Sequence, residues 1–123
     1  MRRAEIRIES EEAFFDRVRA HAIAADRGEP IAPSHVIAFE DLETFLRVLN
    51  TNRVVLLREL KGTRTSLSDL ARRLKRGQIA VNRDVRALER AGVLSVTVKT
   101  VPRHGRTKWI TPLVREIQVT DRF

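Results

Sequence analysis

Residues 65–94 read TSLSDLARRLKRGQIAVNRDVRALERAGVL, and their pattern decides the fold. Ser66 stands where a hydroxyl can accept from an unpaired N–H at a helix start. Leu67, Leu70, Ala71 and Leu74 follow at helical spacing and make one apolar face, with Arg72, Arg73, Lys75 and Arg76 off it. Gly77 is expected to take the left-handed conformation that stops this helix. A second helix is expected from Gln78 to about residue 91, closed by Gly92. At about 100° per residue, Val81, Val85 and Leu88 gather on one side of it. Ile79, Arg83, Arg86 and Arg90 gather on the other, with Asn82 at the border. Solvated helix faces usually mix charge signs. This one presents three arginines and no acid, because Asp84 and Glu89 sit nearer the apolar side. A short helix, a tight basic turn and an arginine-striped helix form the order of a helix-turn-helix whose second helix reads DNA.

Beyond Gly92 the period changes to two. Leu94, Val96 and Val98 alternate with Ser95, Thr97 and Lys99, which predicts a strand. VPRHGRTKW then reads as a turn between strands, with Pro102 and Gly105 as turn residues. The expected hairpin, over 100–109, has a positive tip built from Arg103, His104, Arg106 and Lys108. Trp109 is read as a packing residue beneath it. Residues 113–119 form a last strand candidate that can join an N-terminal sheet.

Upstream, residues 2–9 alternate as a half-buried strand. Ser10 caps a helix to about residue 27, with Phe14, Val18 and Ala22, joined by Phe15 and Ala25, as its apolar side. GEPIAPS is a loop, and residues 35–39 are a short strand that can pair with 2–9. This strand–helix–strand unit has too little surface to stand alone, so it is expected to pack on the rest of the chain or on a second copy. Asp41 is expected to cap a short helix over 42–49, and Thr51 the next, over 52–60.

Two segments carry a family resemblance. VNRDVRALERAGVL resembles the recognition helix of winged-helix transcription regulators, with its polar-Arg-Asp-x-x-x-Leu-x-x-x-Gly-Leu pattern. FEDLETFLRVLNTNRVVLLREL resembles the segments that precede the helix-turn-helix in a family of small prokaryotic DNA-binding proteins. The resemblance covers roughly residues 37–119. It implies an α+β winged helix-turn-helix fold, a three-helix core plus a β-hairpin wing, and transcriptional regulation. Some members of that family look like antitoxin-type repressors encoded beside a toxin. No motif in this chain reports a toxin.

Composition sets outer bounds. With 42% hydrophobic and 33% charged residues the chain is globular rather than disordered. It has no cysteine, which removes disulfides and thiolate metal sites and makes a cytoplasmic location the simple expectation. Residues 1–60 carry 9 Lys/Arg against 11 Asp/Glu, net −2; residues 61–123 carry 15 against 5, net +10. The basic half is the half with the helix-turn-helix, as phosphate binding requires. His21, His35 and His104 are scattered, no metal or nucleotide motif occurs, and Glu40, Asp41 and Glu43 fit a cap and a solvated helix start. No enzyme activity, cofactor, metal or membrane partner is expected.

The expectation is therefore a dimeric, sequence-specific repressor on double-stranded DNA. Residues 1–36 form an N-terminal accessory or dimerisation segment, and 37–123 the DNA-binding domain. Arg83 and Arg86 are the base readers, since an arginine fork bonds guanine O6 and N7 together. Asn82 suits adenine or a phosphate, and Ile79 a thymine methyl. Ser66, Arg72, Arg73, Lys75, Arg76, Gln78, Arg90, Arg103, His104, Arg106 and Lys108 complete the contact set. The alternative is a protein-interaction module, such as an antitoxin that holds a toxin. RNA binding fits less well, because aromatics for stacking are scarce.

Overall fold

A computed structural model describes residues 2–29, 34–103, 105–121 and 123. In chain order the elements are β1 (Arg2–Ile8), α1 (Glu11–Asp26), β2 (Ser34–Phe39), α2 (Leu42–Val48) and α3 (Thr51–Leu60), followed by β3 (Thr65–Ser66), α4 (Leu67–Leu74) and α5 (Gln78–Arg90). Strands β4 (Leu94–Val101), β5 (Gly105–Pro112) and β6 (Val114–Thr120) complete the chain. The fold is mixed α+β: five helices and two three-stranded sheets among the described residues.

The first sheet has the order β2-β1-β6, with β1 parallel to both neighbours. Ile6 sits between Ile37 and Val119 in register. The second sheet has the order β3-β5-β4 and is antiparallel. The chain passes from one sheet to the other at Leu113, whose N–H donates to the Val93 carbonyl at 3.0 Å. As the alternation of residues 113–119 suggests, the last strand joins β1. β2 runs across position 36, so the N-terminal sheet is assembled from both ends of the chain.

The core lies between the helices and both sheets. Leu56 and Leu60 of α3, Leu70 and Ala71 of α4, and Val81, Val85 and Leu88 of α5 meet Val93, Leu94, Ile110 and Val114. These are the apolar positions that the helical and strand periods pick out. Ile37 and Ile117 bring the parallel sheet against the same cluster. Phe45 of α2 is buried edge-on to Phe39 of β2, with ring centroids 5.6 Å apart.

Two local expectations need correction. Asn50, not Thr51, caps α3: its Oδ1 accepts from the Arg53 N–H at 3.1 Å. Standing one residue earlier, its amide oxygen reaches the third N–H of the helix. Lys75, not Gly77, takes the left-handed conformation after α4, with φ 55°. The Arg76 N–H then bonds back to the Ala71 carbonyl and the Lys75 N–H to the Arg72 carbonyl, each at 3.1 Å, closing the helix end. Gly77 has φ −66° and serves as the N-cap position of α5. Asp41 caps α2 as expected. Hydrogen bonds from the Thr44 side chain and backbone hold its carboxyl below the usual carboxylate range, so this cap is lost as pH falls through that lowered value.

Candidate nucleic-acid interface

Burying Val81, Val85 and Leu88 fixes the roll of α5. Arg83, Arg86 and Arg90 are consequently exposed, and Ile79 is 83% exposed.

Asp84 sits on the inner side of α5, 7% exposed. Its Oδ1 accepts from Arg53 Nε at 3.1 Å and its Oδ2 from Arg76 Nη2 at 2.8 Å. Arg53 also donates from Nη1 to the carbonyls of Arg47 and Val48, at 3.2 and 2.7 Å. One carboxylate thus joins the end of α2, the first turn of α3, the α4–α5 turn and the middle of α5. Low exposure makes these charge-assisted bonds strong and unforgiving of a lost partner.

The hairpin is held against α5 by a bond from Lys108 Nζ to Asn82 Oδ1, at 3.0 Å. Strand alternation places Arg106 on the same face of β5 as Lys108 and the buried Ile110. Trp109 lies on the other face, half-buried, with the Arg64 guanidinium 4.4 Å from its ring centroid. It is a packing residue in this arrangement, as expected. Val101 pairs with Gly105 at the tip, and Arg103 takes φ 73° in the turn. Arg103 and Arg106 are exposed, and His104 lies outside the described residues.

The expected contact residues therefore divide into two groups. Ile79, Arg83, Arg86, Arg90, Gln78, Arg72, Arg73, Lys75, Arg103 and Arg106 are open to solvent. Arg72 pairs with Asp69 at 2.6 Å within α4, and Arg73 reaches the Glu59 carbonyl at 3.4 Å. Ser66 is buried, its Oγ accepting from the Asp69 N–H at 3.2 Å. Arg76 is half-buried in its ion pair with Asp84, and Asn82 and Lys108 are engaged with each other. Arg53 is not among the residues that sequence reasoning singles out. The only trace of it in the sequence is a cation in the first turn of a helix, where the dipole disfavours one.

α5 begins with no side-chain cap bond at Gly77, which leaves the N–H groups of its first turn free for an anion. A Cβ placed on Gly77 meets nothing within 4 Å. Gly77→Asp should therefore fold normally, gaining a few tenths of a kcal/mol from the new cap. Under the DNA-binding reading proposed below, it should lose about tenfold in affinity for duplex DNA, the worth of one charge-assisted bond to phosphate. Thermal melting and fluorescence anisotropy would check the two halves.

The family model described as HVO_A0114 matches residues 48–112, more than half of the chain. The chain belongs to the HVO_A0114 family. The matched segment runs from the end of α2 through β5, and so takes in the three packed helices and the hairpin. No curated protein matches the chain. Among solved structures, the chain is similar to a "possible transcriptional regulator" from Methanosarcina mazei Go1. The likeness covers 63% of this chain and 68% of the other, with a TM-score of 0.50 and 13% identity, and it is a likeness of fold. No helix among the described residues is long and apolar enough to cross a membrane.

Proposed function

We propose that this protein is a sequence-specific regulator of transcription that binds double-stranded DNA as a dimeric repressor. In this reading α4, its turn and α5 are a helix-turn-helix, and β4–β5 is the wing of a winged helix. α5 enters the major groove with Arg83 and Arg86 on base edges. Arg72, Arg73, Lys75, Arg103 and Arg106 hold phosphates, and the wing lies on the backbone beside the groove. Residues 37–123 do the binding, and residues 1–36, closed by β6, supply dimerisation.

The observation that carries this reading is the Lys108–Asn82 bond. It brings the open side of α5 and the cationic hairpin onto one face, which is what a helix in a groove flanked by phosphate requires. The regulatory role named for the Methanosarcina mazei protein supports the regulatory part. A second reading, a protein-binding antitoxin, is favoured by the open apolar residues of α1, among them Phe15 and Ile23, 49% and 52% exposed.

Selection of genomic fragments, followed by anisotropy on the selected site and on random duplex, tests the proposal. Arg83→Ala should lose about 1–3 kcal/mol of discrimination at a single base pair. Arg106→Ala should weaken all sequences alike and lower the salt slope by about one unit. Equal losses on selected and random DNA for Arg83→Ala would remove α5 as the reader.

A further inference from the structure

Between α3 and β6 runs an open groove of about 700 Å³, within the size range of small-molecule sites. Its two walls run in opposite directions. Thr65 pairs antiparallel with Ile110, so the chain that leads into Thr65 lies beside the residues that follow Ile110. Lys61 and Gly62, at the end of α3, therefore stand beside Pro112 and the start of β6, and these residues line one end of the groove. Leu49 lines the other end. It also borders Ile6 of β1, whose register partner on β6 is Val119. The start of α3 thus faces the end of β6.

Residue types are sorted along this axis. Arg58 and Lys61 from the end of α3 and Arg115 from the start of β6 line the groove near Pro112. Leu49, Val54, Ile117 and Val119 line it further along, with Leu57 between. Arg115, Ile117 and Val119 alternate onto one face of β6. Two elements far apart in sequence therefore show the same order, cations first and aliphatics after. All three cations are exposed, and none has a side-chain hydrogen bond or ion pair among the described residues. Glu116, the acid among the described lining residues, already has a partner.

We propose that this groove binds an alkanoate, a carboxylate on an unbranched aliphatic chain. Arg58, Lys61 and Arg115 hold its head, and Val54, Leu57, Ile117 and Val119 receive its tail. Three uncompensated cations select an anion, and an arginine fork matches the two oxygens of a carboxylate. The walls select the tail. Among the described residues no aromatic ring lines the groove, so a flat ring finds nothing to stack on. Length agrees: Val54 to Lys61 spans about 10 Å of helix and Arg115 to Val119 about 13 Å of strand, room for an extended chain of medium length. The site stands apart from the DNA reading, and its test uses the chain without DNA.

In isothermal titration calorimetry, decanoate should saturate one site per chain. Octanoate should bind about fifteenfold more weakly, since each buried methylene is worth about fourfold. Acetate, which lacks the tail, and decyltrimethylammonium, which reverses the head, should not saturate. Arg58→Gln and Arg115→Gln, both at exposed positions, should each weaken decanoate about tenfold and leave the dependence on chain length intact. Val119→Glu, at a position 43% exposed, should weaken it at least about tenfold by setting a carboxylate against the tail, with the circular dichroism unchanged. Equal binding of decanoate and acetate, or of decanoate and decyltrimethylammonium, overturns the inference. So does decanoate binding that ignores all three substitutions. If decanoate fails to bind and Val119→Glu instead disrupts self-association or retention on phosphatidylglycerol vesicles, the groove belongs to a second copy or a membrane surface, and the inference is equally overturned.

Discussion

Asp84→Ala should lower folding stability by about 3 kcal/mol, the low end for removing one partner of a buried charge pair. Two guanidiniums lose their shared acceptor at once. Arg53 and Arg76 keep 16% and 28% of their side-chain surface in solvent, so both can turn outward, which limits the loss. For a chain of this size the change amounts to about 10 °C in melting temperature. Asp84→Asn should lie between, since an amide still accepts one bond but carries no charge. Urea denaturation and calorimetry give both values. A double-mutant cycle with Arg53→Ala should return a coupling well above that of an exposed pair. A loss below about 1 kcal/mol would mean that the cluster behaves as a solvated surface pair.

The second large effect concerns salt. In the proposed reading five exposed cations on each subunit, Arg72, Arg73, Lys75, Arg103 and Arg106, hold phosphates. A dimer on its operator would neutralise about ten phosphates, with a slope of about −9 in log affinity against log salt. Between 50 and 200 mM salt the affinity should therefore fall roughly 10⁵-fold. A single subunit on a half-site should show about half that slope. A slope near −2 for the wild type would assign these cations to solvent. Single-stranded DNA and RNA as competitors would test whether the duplex is preferred.

Much of this arrangement is legible in the sequence. The spacing of Leu67, Leu70 and Leu74, and then of Val81, Val85 and Leu88, dictates two helices and their inward faces. What faces outward on α5 follows by subtraction. Alternation after Gly92 announces the hairpin in the same way. The Asp84 cluster is not legible, because Arg53 lies 31 residues away and no local period links them. The turn between α4 and α5 misleads for a related reason. Glycine is the cheapest residue for positive φ, but tertiary packing of α4 and α5 places the left-handed residue at Lys75. α1 marks a third limit. Its pattern identifies an apolar side, yet Phe14 of that side is half-buried while Phe15 and Val18 are open to solvent.

The pairing of β1 with β6 has a bearing on how the chain is made. The helices and hairpin between residues 51 and 112 hold contacts that are closer in sequence than the β1–β6 pairing, and they can form as that stretch leaves the ribosome. β1, synthesised first, has to wait for residues 114–120 before its second edge is covered. During that interval it offers an open row of backbone donors and acceptors to any neighbouring strand. The acidic character of the first sixty residues, net −2 against +10 for the remainder, gives the nascent segment no attraction to its own kind while it waits.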